Sequence, residues 1–241
     1  MDFQEKNFRY VQKSFETFLE EVSRGSRQYL RSIASTDPSG KPADFWINFP
    51  ELGPDFELPS EYDTVKRNMH SSVLRVSGTV AIWLHYDVMA NVLCQIKGSK
   101  RLILYPPSDV SLFSIPPGTS SSSINCFDAS TTKDPTLALA HPQEVFLEPG
   151  DILFLPPLWL HTASPTGNVS ISVNVFFRNL DRGYAPGRDL YGNRDLQAYE
   201  KGRQDIAKIA ESFNKLPPDF GRFYLERLAE ELRTKALSYS L

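Results

Sequence analysis

From about residue 28 to residue 178 the chain is a succession of short apolar runs cut by Pro, Gly, Ser and Asp. Strands are expected at Gln28–Ser32, Ser72–Val76, Val80–Leu84, Val88–Ile96, Arg101–Tyr105, Glu144–Leu147, Ile152–Leu155 and Ser170–Phe177. Lys97-Gly98-Ser99 and Pro149-Gly150-Asp151 sit between them as tight turns. Many short strands joined by regular turns predict a β-sandwich or barrel. The excess of 18 Pro over 13 Gly also favours a loop-rich β core over a helical bundle. Residues 114–140, rich in Ser, Thr, Pro and Gly, read as a long surface insertion.

Helical periodicity frames this region. Phe8, Val11, Phe15, Phe18, Leu19 and Val22 follow steps of three and four, which predicts an amphipathic helix within residues 3–23. Near the carboxyl end Ile206, Ile209, Phe213 and Leu216 form one stripe, and Phe220, Tyr224, Leu225, Leu228 and Leu232 form a second. Pro217-Pro218-Asp219 separates them, so helices near 206–216 and 219–236 form a hairpin. That hairpin either packs on its own barrel or forms a dimer interface, and a homodimer is expected. The domains divide at 1–27, 28–180 and 181–241.

A net charge of −3 argues against a strongly basic nucleic-acid binder, though a local basic patch is compatible with it. The first residues contain no apolar core of a secretory signal. No run of 18 apolar residues offers a transmembrane helix. Two widely spaced Cys fit a reducing compartment, and a cytoplasmic location is expected. With only two Cys and four His, a closed four-thiolate metal cage is excluded.

Two of those histidines carry a motif. His85 and Asp87 stand two residues apart, the spacing that puts side chains on one face of a strand. His161 follows 76 residues later, enough chain for several strands to return. Two imidazoles and one carboxylate on one face make the facial triad of non-haem Fe(II) oxygenases, which leaves coordination positions open.

The stretch His85 to Arg101, HYDVMANVLCQIKGSKR, resembles the JmjC-type 2-oxoglutarate-dependent oxygenases. Pro149-Gly150-Asp151-Ile152-Leu153-Phe154-Leu155-Pro156 before Trp159 and His161 is similar too, as is Val173-Asn174-Val175-Phe176-Phe177. Tyr191-Gly192-Asn193-Arg194-Asp195 and the region of Leu216-Pro217-Pro218 resemble the wybutosine hydroxylase branch in particular. The likeness runs from about residue 8 to 236 and extends to the JmjC portion that fungi fuse to a wybutosine-synthesis methyltransferase.

The resemblance implies a mainly β fold, a double-stranded β-helix of jelly-roll or cupin kind, with an N-terminal helix and the C-terminal hairpin. It implies His85, Asp87 and His161 as ligands of Fe(II). It implies Lys100 as the partner of the distal carboxylate of 2-oxoglutarate, and Asn91 and Asn174 as amides lining that pocket. The implied reaction is a hydroxylation that consumes O2 and 2-oxoglutarate, on the wybutosine-type base of tRNA(Phe). Protein side-chain hydroxylation and a binding or dimerisation module are the alternatives. One position departs from the pattern. Ile82 stands where a relative has a co-substrate-binding threonine, and a Tyr from the Ser60–Tyr62 region is expected to supply the hydroxyl.

Several residues read as structural. Trp159 is expected to pack beside the site, Asp151 to serve a turn, and Cys94 to be an inert buried thiol. His70 and His141 receive no role. Arg178, Arg182, Arg188, Arg194, Lys201 and Arg203 interleave with Asp181, Asp189, Asp195 and Glu200, which reads equally as a solvated surface or a phosphate track.

Overall fold

A computed structural model describes residues 8–128, 134–185, 187 and 189–239. The first compact unit extends to Asp195, and the second is Leu196–Leu241.

In the first unit, helix α1 (Phe15–Ser23) buries Phe18 and Val22. It starts at Phe15 because the Ser14 hydroxyl accepts the Thr17 N–H and caps the helix there. Phe8 and Val11, expected on the same helix, lie outside it. Strand β1 (Tyr29–Arg31) follows, then two short helices, α2 (Phe45–Asn48) and α3 (Asp63–Arg67). The Asp44 carboxylate caps α2 through the N–H groups of Trp46 and Ile47. The remaining strands are β2 (Met69–Ser77), β3 (Ala90–Lys97), β4 (Lys100–Tyr105), β5 (Gln143–Leu147), β6 (Ile152–Leu155), β7 (Leu160–Pro165) and β8 (Ser170–Phe177).

These strands form two antiparallel sheets, ordered β1-β2-β8-β3-β6 and β5-β4-β7. Alternation decides what each face does. In β8, Val173 and Val175 join Val76, Val92 and Phe45 in a core that also takes Phe18 and Val22 of α1. The opposite row of β8, Ser172, Asn174 and Phe176, is also buried. Leu93 of the larger sheet packs with Leu102 and Leu104 of the smaller one, closing one stretch between the sheets with apolar side chains.

Three features differ from the expected pattern. Val80–Leu84 is not a strand: Ile82 donates to Ala163 O and His85 pairs with His161, but the register slips between these contacts and no ladder forms. The strand Leu160–Pro165, next to a Pro-Pro pair and ending on a third proline, was not foreseen. The insertion 114–140, whose residues 129–133 lie outside the described set, is not confined to the surface. Ser121 and Ser122 are buried, and Ile124, Phe127 and Leu137 pack on a core cluster around Leu84 and Leu160.

In the second unit, helices α4 (Gln197–Ser212) and α5 (Pro218–Leu237) flank the expected proline break. Phe213 stacks on Tyr224 with 6.2 Å between ring centroids. Helix α4 begins well before the apolar stripe that announced it, because its first turns are polar.

Candidate metal and anion site

His85 precedes β3 in a segment that no ladder continues, and His161 is the second residue of β7. The two are locked backbone to backbone: the His85 N–H donates to His161 O at 3.0 Å and the His161 N–H to His85 O at 2.7 Å. Their imidazole centroids lie 4.2 Å apart. Asp87 joins them, its Oδ2 standing 3.7 Å from His161 Nε2. One ligand atom from each of the three falls within 4.8 Å of the others.

Both imidazoles are turned the same way. His85 Nδ1 is 2.9 Å from Trp83 O and His161 Nδ1 is 3.0 Å from Trp159 O. A carbonyl can only accept, so each Nδ1 carries the proton and each Nε2 is the unprotonated nitrogen. That is the tautomer a metal needs, held by the backbone two residues upstream. The sequence repeats this device as Trp-Leu-His at 83–85 and 159–161, with Leu84 and Leu160 both fully buried. The repeat is a signal that the reading of the sequence passed over.

Electrostatics keep the triad ready for a cation. Burial pushes the Asp87 carboxyl up to about 6, with His161 and Arg75 opposing the shift. Burial pulls the His161 imidazole down to about 4, and the neighbouring His85 adds to that. At neutral pH Asp87 is thus a carboxylate facing an uncharged His161. Leu158 sits beside them in a left-handed conformation at φ 66°, and its N–H donates to Asp87 O at 2.8 Å.

The same pocket reaches a second cluster. It is lined by Lys100, Arg75, Tyr29, Asn91 and Asn174 as well as by the triad. Lys100 is 7% exposed and donates to Ser172 Oγ at 2.9 Å. Burial, reinforced by Arg75, lowers its ammonium to about 7. Arg75 pairs with Ser172 across β2 and β8, and its Nη1 donates to Tyr29 Oη at 2.8 Å. Its Nε is buried with no partner. No carboxylate lies within 4.0 Å of Arg75 or Lys100 among the described residues. Between this cluster and the triad, Asn174 Nδ2 donates to Asn91 Oδ1 at 3.1 Å, leaving Asn174 Oδ1 buried and unpaired. Two desolvated cations, a phenol and an orphaned amide define a seat for a small anion.

The sequence model of the family described as a cupin-like domain matches residues 1–183. The chain belongs to the cupin-like family. It is similar to tRNA wybutosine-synthesizing protein 4 of Aspergillus oryzae, at 61% identity over 238 residues that cover 98% of this chain and 23% of that protein. It is also similar to tRNA wybutosine-synthesizing protein 5 of Danio rerio, at 34% identity over 247 residues that cover 98% of this chain and 74% of that protein. The chain thus spans less than a quarter of the protein 4 relative. The X-ray structure of E. coli ycfD covers 86% of this chain and 62% of its own, at 15% identity and a TM-score of 0.39.

The cupin-like barrel brings His85, Asp87, His161, Lys100, Asn91 and Asn174 around one pocket. It does not bring Tyr62 there: that ring packs on the core beneath α2 and α3, and the pocket hydroxyl belongs to Tyr29. Arg75 and Tyr29 were missed because each stands alone in its strand, with no spacing to mark it. Trp159 packs beside Leu93 and Leu155. The Asp151 carboxylate accepts the Glu148 N–H and closes its turn. Cys94 is buried, which pushes its thiol up to about 12. His141, given no role, holds the buried Asp109 through Nδ1 at 3.0 Å. In the basic run Arg178 lies over the Tyr184 ring, and Arg188 falls outside the described residues. No described helix is long and apolar enough to cross a membrane.

Proposed function

We propose that this chain is an Fe(II)- and 2-oxoglutarate-dependent dioxygenase that hydroxylates the wybutosine-type base of tRNA(Phe). The observation that carries the chemistry is one pocket holding a two-His, one-carboxylate triad together with the buried Lys100 and the half-buried Arg75. The donor set suits Fe(II), because two neutral imidazoles and a carboxylate leave positions free for co-substrate and O2. Iron held there supplies the chemistry by which 2-oxoglutarate and O2 become succinate and CO2 while a C–H bond becomes C–OH.

The chain's own residues do the rest. Trp83 O and Trp159 O hold the imidazole tautomers. Lys100 and Arg75 receive the far carboxylate of the dianion, with Tyr29 Oη supplying the hydroxyl that Ile82 lacks. Asn91 and Asn174 face the middle of the co-substrate. The tRNA substrate is supported by relatives named as wybutosine-synthesizing proteins that cover nearly all of this chain. A cytoplasmic location is part of the same proposal.

A homodimer through α4 and α5 is part of this reading. Ile206, Ile209, Phe220, Phe223 and Leu232 are all at least 41% exposed, and among described residues these helices bury only Gly221. A monomeric mass at micromolar concentration overturns the dimer. Purified protein loaded with Fe(II) should release succinate and add 16 Da to wybutosine-containing tRNA. Modified peptide with unmodified tRNA makes it a protein hydroxylase, and no 2-oxoglutarate binding makes it a binding module.

A further inference from the structure

Asp87 is buried, yet it lies outside any ladder. It follows the isolated pairing at His85 and precedes β3, so no ladder holds residues 86–89. Yet Val88 and Met89 are 3% and 2% exposed, and their N–H groups must find partners inside the protein. Both donate to one acceptor, the Gly192 carbonyl, at 3.0 and 2.8 Å. On the other side of Asp87, the Tyr86 hydroxyl donates to Asp195 at 3.0 Å.

The segment 189–195 that provides these partners is itself tightly organised. The Asp189 carboxylate accepts the N–H groups of Tyr191, Gly192 and Arg194 at 3.0, 2.9 and 3.2 Å. The Asp189 carbonyl takes a hydrogen bond from His70 Nε2 at 2.6 Å, tying the segment to β2. Arg31 of β1 lies 3.8 Å over the Tyr191 ring. Gly192 adopts φ +70°, and a Cβ there would stand 3.1 Å from Phe176 and 3.3 Å from Met89. A side chain there would meet both a left-handed backbone and these neighbours, and glycine avoids both.

Resting on the reading of the triad as a metal site, we infer that residues 189–195 are a positioning strap that fixes Asp87 for the metal, with Asp189 and Gly192 as its positioning residues. The match to the family ends at residue 183, so this strap lies beyond it. It belongs to the same compact unit as the triad. The strap satisfies the backbone on one side of Asp87, at Val88 and Met89, and holds the Tyr86 side chain on the other. Groups that orient a ligand in this way are worth about 10- to 100-fold in metal affinity.

The test is titration of metal-free, full-length protein with Co(II), read by calorimetry and by visible absorption, alongside thermal melting. The wild type binds one Co(II) and His85→Ala binds none. Asp189→Ala and Gly192→Ala should each weaken Co(II) at least about tenfold while the metal-free melt moves by only a few degrees. Asp189→Asn keeps an oxygen that can accept the Tyr191 and Gly192 N–H groups, and it should recover most of the loss. Wild-type Co(II) affinity in Asp189→Ala and Gly192→Ala overturns the strap and leaves the triad standing. So does a large fall in melting temperature with unchanged affinity, which would make the segment merely structural. Failure of the wild type to bind Co(II) overturns the triad reading and the strap with it.

Discussion

At the proposed metal end of the pocket, the three candidate ligands come from two chain segments that meet backbone to backbone, His85 N–H on His161 O and the reverse. At the anion end, Tyr29, Arg75, Lys100 and Ser172 come from four strands, β1, β2, β4 and β8; ladder register sets Arg75 beside Ser172, and side-chain hydrogen bonds bring in Tyr29 and Lys100. The metal end is positioned by carbonyls that cannot be mutated away: Trp83 O, Trp159 O and Gly192 O. The anion end is marked by the buried Lys100 and the half-buried Arg75, whose like charges repel each other. Geometry does the work at one end and unpaired charge at the other. The two ends should therefore fail in different ways.

The largest effect is expected at the metal end. Asp87→Ala removes the one anionic ligand, and calorimetry should detect no divalent metal binding. Lys100→Met should leave metal affinity within about twofold, because Lys100 touches Ser172 and not the triad. In Zn(II)-loaded protein the same Lys100→Met change should weaken 2-oxoglutarate about 100-fold, since truncating one side of a buried charge pair costs several kcal/mol. A Lys100→Met protein that lost metal as well would show that the two ends are one mechanical unit, which would break the comparison.

Arg75→Met comes next. A charge-assisted hydrogen bond is worth about 1.5–3 kcal/mol, so 2-oxoglutarate affinity should fall about 30-fold. Monocarboxylates such as pyruvate should be affected far less, because they do not reach the far cluster. Unchanged 2-oxoglutarate affinity in Arg75→Met would reduce the anion end to Lys100 alone.

The same contrast explains what was legible in the sequence. The metal end could be read because His85 and Asp87 obey the i, i+2 rule of a strand face, even though the segment is not a strand. The β architecture was legible for a similar local reason: turn residues and alternation act within a few residues. The anion end was half legible. Lys100 follows a recognisable hairpin, but Arg75 reads as an ordinary charged residue in a strand, and Tyr29 lies 71 residues before Lys100. Only the register of β2 on β1 and β8 brings Arg75 beside Tyr29 and Ser172. The strap was invisible for the same reason. Gly192 looks like a loop glycine until the fold sets Phe176 and Met89 against it.

Within a single pH unit the effect is smaller, about tenfold, and it separates the ends by the sign of their pH dependence. Asp87 must be a carboxylate to bind a metal, and burial has raised its carboxyl to about 6. Below pH 6 the metal must displace a proton, so the Asp87 contribution weakens affinity by about tenfold for each unit that pH falls. Lys100 must be an ammonium to hold an anion, and burial has lowered it to about 7. Above pH 7 the incoming carboxylate must bring a proton with it, so 2-oxoglutarate affinity weakens by about tenfold for each unit that pH rises. Calorimetry of Co(II) across pH 5–7, and of 2-oxoglutarate on metal-loaded protein across pH 7–9, should give slopes of opposite sign. Lys100→Met should flatten the alkaline slope and leave the acidic one intact, because the group that titrates above pH 7 is gone while Asp87 remains. An alkaline slope that survives in Lys100→Met would assign the anion end's proton to another group and leave Arg75 as its fixed charge.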